Sequence, residues 1–273
     1  MKLRTQLTSV LVLALAILCV APLASLGAYE VVATHSVLGE IAKTVGGEYV
    51  DVVTIIPSGF CPAHYDLAPS DFAALLHAHV VFYSGFEPWV ERLSGSTKEG
   101  ALVQLRGSWN TPADAIEKTN AVAQVLAERI PEGAATFAAN AEQYVAKLQA
   151  VSDELQRRAA EMNVSVVPVV CMEWQVSFVK WLGFQAAVTY GMPEGLSLRD
   201  LVQLAETGRA VKAVLVIDNL QSGIEFGAKL AREVGAVHVV LSNFPGALPK
   251  TATLIDTLRR NADALLGAIQ PVR

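Results

Sequence analysis

The sequence predicts an α/β protein of two lobes, each a mostly parallel sheet flanked by helices, joined by one long backbone helix. Three observations predict it. Short β-rich runs alternate with amphipathic stretches over residues 30–93, and the same rhythm resumes over residues 164–269. Between them, residues 131–162 carry apolar positions at helical spacing with no Pro after Pro131 and no Gly after Gly133.

In the first lobe, Glu30–Thr34 (EVVAT) reads as a strand and Ser36–Val45 as a helix capped by Ser36 and stopped by Gly46-Gly47. Val50–Ile56 is the next strand, ended by Pro57-Ser58-Gly59. Pro69-Ser70-Asp71 opens a helix to about Ala78, Val80–Tyr83 is a strand, and Glu87–Leu93 a helical turn. Residues 94–111 have no periodicity and read as a loop.

Ala113–Ile130 is a helix, and Pro131 suits the first position of the next one. Phe137, Ala141, Tyr144, Leu148, Val151 and Leu155 recur three or four residues apart, so the rod runs to about Met162. A coiled-coil arm would show the same spacing, but a helix spanning two lobes fits the alternation that resumes at once. Val164–Cys171 is then a strand, Glu173–Leu182 a helix closed by Gly183, and Phe184–Tyr190 a strand. Ser197–Thr207 is a helix, Val211–Ile217 a strand, Gln221–Val234 a helix, Val237–Leu241 a strand and Thr251–Ile269 the last helix. The predicted units are thus a segment 1–28, lobes over 29–130 and 163–273, and the linking helix 131–162.

Residues 1–28 read as an export signal: Lys2 and Arg4, an apolar run Val10–Val20, and a small-residue exit from Pro22 to Gly27. An uncleaved anchor is the competing reading. Cys19 follows Leu18, where a lipoprotein signal wants Gly or Ala. The mean hydropathy is +0.39; much of the excess sits in Val10–Ala24 and the rest in short runs of four to eight residues, and no second stretch long enough to cross a bilayer follows. A hydrophobic fraction of 52% excludes a disordered chain. A net charge of −5 without a basic, aromatic-studded patch argues against nucleic-acid binding. The expected location is periplasmic or extracellular, where paired cysteines take on the meanings of disulfide, metal site or buried thiol.

In open α/β sheets ligands bind beyond the carboxyl ends of strands. Here those positions are His35, residues 57–64, Gly85-Phe86, residues 171–174, residues 191–194, Asp218-Asn219 and Ser242-Asn243. Cys61, His64 and Asp66 share one Pro-containing loop, and Cys171 and Glu173 sit at the matching point of the second lobe. Closed lobes would make Cys61, His64, Cys171 and Glu173 a mixed thiolate, imidazole and carboxylate set for zinc or another soft cation, with Met172, His35 and Glu194 as weaker candidates. A Cys61–Cys171 disulfide, or two unrelated buried thiols, would use the same residues differently. His77, His79 and His238 read as surface or structural, and Asp218 as cleft-facing or capping. The four tryptophans are spread too thinly for a ligand cage, though Trp174 lies at the expected cleft. No phosphate-binding glycine loop or GxSxG elbow is present, and Cys61 with His64 in one loop makes a poor nucleophile and base pair, so no enzyme is expected.

Segments of this chain carry a family resemblance. VVATHSVLGEIAKTVGGEYVDVVTIIPSG, AHYDLAPSD, SGFEPWVERL, IPEGAATFAANAEQYVAKL and GFQAAVTYGMPEGLSLRDLVQL resemble successive segments of the zinc/manganese-type (cluster A-I, TroA-like) solute-binding proteins of metal ABC transporters. The resemblance spans nearly all of residues 29–269 and implies two lobes on a backbone helix, a transported metal ion, and a membrane permease as partner. It also implies rocking of the lobes in place of wide hinge closure. The family's three histidines and one acid do not carry over: their places fall on Ala63, Gly107, Met172 and the stretch Leu241–Asn243. The site is therefore expected to be rebuilt from Cys61, His64, Cys171 and Glu173, with sulfur favouring zinc or copper(I) over manganese, and a Cys61–Cys171 disulfide acting as an off state. The alternative is a metal-free cleft for an organic ligand, lined by Trp174, His35 and Glu194, or a module that binds a partner protein.

Overall fold

The computed structural model describes residues 28–93 and 95–270. The expected export signal lies outside the described residues, apart from Ala28. Among the described residues no helix is long and apolar enough to cross a membrane.

The first half contains β1 (Tyr29–Ala33), α1 (Ser36–Gly46), β2 (Val50–Thr54), α2 (Pro69–His77), β3 (Val80–Tyr83), β4 (Leu102–Gln104) and α3 (Pro112–Arg129). The linking helix α4 covers Ala134–Glu161. The second half contains β5 (Pro168–Met172), α5 (Val176–Trp181), β6 (Gln185–Tyr190), α6 (Leu198–Ala210), β7 (Leu215–Asn219), α7 (Glu225–Val234), β8 (Val237–Leu241) and α8 (Leu254–Ile269). The strands form two four-stranded sheets, ordered β2-β1-β3-β4 and β6-β5-β7-β8, and every pairing is parallel. Both sheets reverse strand order at the same point, between β1 and β3 and between β5 and β7, which opens a crevice at the carboxyl ends.

Strand side chains alternate between two buried layers, as parallel sheets covered on both faces require. Val31 and Ala33, Val80 and Phe82, Val169 and Cys171, and Leu215 and Ile217 face one core. Val32 and Val81 face a separate layer in the first lobe, and Val170, Met172 and Val216 one in the second. The shared core runs through both lobes and along α4, whose Phe137, Ala141, Tyr144, Leu148, Val151, Leu155 and Ala159 are its buried stripe. Twenty-eight residues make α4 about 42 Å long. Glu40 of α1 fastens this side: its carboxylate accepts from Tyr144 Oη of α4 at 2.8 Å and from the backbone N–H of Leu254, at the start of α8, at 2.7 Å.

Three helices begin with reciprocal caps, Thr111 with Asp114, Ser197 with Asp200 and Thr253 with Asp256. Three sequence expectations need correction. Ser36 does not cap α1; His35 holds that position without a side-chain bond, and Ser36 Oγ is buried and unpartnered. Pro131 does not open α4, because residues Pro131–Gly133 form a separate 3-10 turn. The stretch after residue 94 is not all loop; it contributes β4, an edge strand of three residues, too short to show a period.

Candidate functional site

The crevice holds a cavity of about 180 Å³, lined from both lobes. Cys61 and His64 come from the loop after β2, where Pro62–His64 form a 3-10 turn. Phe86 follows β3, and Trp109 lies just ahead of α3. The second lobe adds Trp174 after β5, Met192 and Glu194 after β6, Asn219 and Gln221 at the end of β7, and Asn243 and Phe244 after β8.

The wall is aromatic. Phe86 meets the Trp109 and Trp174 rings edge-on at 5.9 and 5.3 Å, and Trp109 stacks on Phe244 at 5.6 Å. Hydrogen bonds across the lobes hold the frame: Trp109 Nε1 donates to Asn243 O at 3.0 Å, Asn110 Nδ2 to Trp174 O at 2.7 Å, and Gln221 Nε2 to Ser58 O at 2.9 Å. Trp174 is steadied by sulfur, its Nε1 donating to Met192 Sδ at 3.0 Å and its backbone N–H to Met172 Sδ at 3.2 Å.

At the mouth, His64 Nε2 lies 3.3 Å from Glu194 Oε1, joining the first lobe to the second. Both side chains are more than half exposed, at 56% and 59%, so the pair is open to solvent and to a guest. Cys61 is half-buried in the same wall.

The expected four-residue set is not assembled. Among the described residues no three His, Cys, Asp or Glu side chains converge as metal donors. Cys171 is fully buried and belongs to the shared core with Val169, because the pleat of β5 turns residues 169 and 171 to the same face. Its Sγ contacts Met172 O at 3.3 Å, and burial pushes the thiol well up, with the Asp218 carboxylate adding to the effect. Cys61 and Cys171 are both free, so the alternative of a disulfide between them is not formed in this structure. Met172 faces the opposite layer, fully buried. Glu173 is exposed, its carboxylate against Gly191, and lines no part of the cavity. Of the residues predicted as ligands, the cleft brings together Cys61, His64 and Glu194.

His35 sits behind the aromatic wall, 1% exposed, its ring 4.5 Å from Trp109 and 5.2 Å from Phe244. Neither ring nitrogen has a partner. Burial pushes its pKa down to about 4; the Glu87 carboxylate opposes this and the Lys118 ammonium adds to it. For Glu87 burial acts upward, but charge on His35 and hydrogen bonds from Thr34, Ser84 and Gly85 outweigh it and hold the carboxyl below the usual range. Asp218 does not line the cavity: it is fully buried against Gly227 in the first turn of α7, bonded by Tyr190 Oη and, at 2.7 Å, by His238 Nε2.

The chain matches the model of the zinc-uptake complex component A (periplasmic) family over residues 31–268. It belongs to that family. The fold agrees: a cadmium-bound periplasmic metal-binding protein from Candidatus Liberibacter asiaticus superimposes with a TM-score of 0.76 at 17% identity, covering 88% of this chain and 98% of that one. A crystal structure of ZnuA gives 0.72 at 21% identity, covering 87% and 99%. Among curated relatives, the manganese-binding lipoprotein MntA of Halalkalibacterium halodurans is 28% identical over 142 residues, 45% of this chain and 47% of that protein. The metal ABC transporter substrate-binding lipoprotein SsaB of Streptococcus sanguinis is 26% identical over 157 residues, 47% and 51% of the two chains. The matches thus span about half the length of these curated relatives.

The positions where the family's ligands were expected now have a structural account. Ala63 and Asn243 line the cavity without a metal-binding group of the family's kind. Gly107 has φ +92°, where any side chain would be strained, and its missing Cβ would point at the Lys118 ammonium. Met172 spends its thioether on the Trp174 backbone. The strand-end rule found Phe86, Met192, Glu194, Asn219 and Asn243. It missed Gln221, Ser222 and Phe244, which lie slightly further along, and Trp109, which follows no strand end and stands just ahead of α3.

Proposed function

We propose that this protein is the extracytoplasmic solute-binding component of an ABC importer, and that it captures a transition-metal ion, zinc or another thiophilic cation, between its lobes for delivery to a membrane permease. The observation that carries this reading is the 3.3 Å contact of His64 with Glu194, one from each lobe, with Cys61 in the same wall. Imidazole, carboxylate and thiolate are the donor types that zinc accepts, and a cation between His64 and Glu194 would bridge the lobes. Capture breaks no covalent bond, so the protein acts without catalysis. The single core shared along α4 restricts the lobes to a small rocking motion, and that motion is what brings Cys61 onto the same ion and what a permease would read. Export is supported by the apolar run near the N-terminus and by the periplasmic description of the family.

The test is a zinc titration of reduced protein against a chromophoric competitor. His64→Ala and Glu194→Gln should each weaken zinc at least about tenfold, a loss of one metal–ligand contact, whereas Cys171→Ala should leave affinity unchanged. If reduced protein retains no zinc, copper(I) or manganese, or if the triple change of Cys61, His64 and Glu194 to Ala binds as wild type does, the proposal fails.

A further inference from the structure

We infer that the cleft takes its metal as a complex with a small organic chelator, one with nitrogen and oxygen donors on a compact, largely apolar body. This rests on the metal-capture reading and specifies its cargo.

The first reason is a shortage of donors. The protein offers His64 Nε2 and the Cys61 thiol from the first lobe and the Glu194 carboxylate from the second, and no triad of such groups converges among the described residues. Zinc takes four ligands in closed sites, and harder cations take six, so donors from elsewhere must complete the shell.

The second reason is space. A cavity of about 180 Å³ has far more room than a single coordinated ion needs, and leaves space for a small organic guest beside the metal.

The third reason is the chemistry of the wall. Phe86, Trp109, Trp174 and Phe244 present ring faces and edges there. A hydrated ion loses hydrogen bonds against such a surface, which is costly. A chelator replaces the metal's water with its own donors and turns an apolar outside to the rings, gaining about 25 cal/mol for each Å² buried. Asn219 and Asn243 line the second-lobe side of the same cavity; their amide oxygens already accept from the Gln221 backbone N–H and Gln175 Nε2, so their Nδ2 groups are what would suit the carboxylate edge of such a molecule.

Isothermal titration and native mass spectrometry of the reduced full chain decide the matter with zinc alone, with zinc plus one equivalent of picolinate or of L-histidine, and with each chelator alone. The expected result is at least about tenfold tighter binding of zinc with one of the chelators than of zinc alone, with a mass corresponding to protein, metal and chelator together. In Trp174→Ala or Phe86→Ala, both at exposed positions that folding tolerates, the ratio of the two affinities should fall toward one. Zinc alone binding as tightly as zinc with either chelator would overturn this inference and leave metal capture standing. Chelator binding equally well without zinc would overturn this inference, and no binding in any arm would overturn both.

Discussion

His35 supplies a direct measure of how closed the floor of the cleft is. Its ordinary value of 6.5 is pushed down to about 4 by complete burial between Trp109 and Phe244. The unfolded chain therefore takes up a proton that the folded chain refuses as the pH falls from 6.5 toward 4. Stability from this group is fully present above the unfolded value and is lost across that window. The full loss is on the order of 3 kcal/mol, most of it reached by about pH 4.5. His35→Phe removes the proton acceptor and two unpartnered buried nitrogens, so it should match or exceed wild type near neutrality. Glu40 titrates in both proteins and cancels in the comparison, whereas Glu87 is held low in part by His35, so the difference between the two proteins reads the His35–Glu87 pair together. Urea unfolding at about pH 7.5 and about pH 4.5 should show wild type losing on the order of 2–3 kcal/mol more than the variant. An equal loss in the two proteins, or an imidazole titrating near 6.5 by NMR in the folded state, would refute the argument that the aromatic wall seals this ring from water. His35→Leu repeats the test should Phe crowd the site.

Other outcomes follow from single contacts. Tyr144→Phe deletes the hydroxyl that Glu40 accepts from and should lower unfolding free energy by about 1.5–3 kcal/mol, measured by denaturant titration. Burial raises the Glu40 carboxyl above its ordinary range, so its unfavourable contribution is present at neutral pH and is relieved as the pH falls through the raised value toward the ordinary one; Glu40→Gln should abolish that relief in pH-dependent unfolding curves. Gly227→Ala places a Cβ well inside contact distance of the Asp218 carboxylate, so it should destabilise by about 1–3 kcal/mol although Ala favours helix. Alkylation mapped by peptide mass should modify Cys61 in the native protein and Cys171 only after unfolding; equal labelling would contradict the core placement of Cys171.

The architecture was readable because both lobes obey simple periods. Val80–Tyr83 and Val237–Leu241 are strands over the residues that pattern alone selected, and the Phe137-to-Leu155 stripe is the buried face of α4. The errors fall where no period exists. Three residues of β4 give none, and Ser36 has the right chemistry for a cap but sits one residue too far into α1.

The site divides along the same line. Sequence alone determined that a crevice would open beyond the strand ends and that residues 64 and 194 would stand at its rim, because these depend on strand direction and on where each strand stops. Only the tertiary structure decided which face of β5 looks inward. Side chains on a strand alternate, so position 171 could serve either the crevice or the core, and local pattern is apolar on both sides. The packing of α4 and α8 against that sheet assigns Cys171 to the core, leaving Cys61 as the cleft thiol and bringing together an aromatic wall from residues 86, 109, 174 and 244, whose proximity no local spacing encodes.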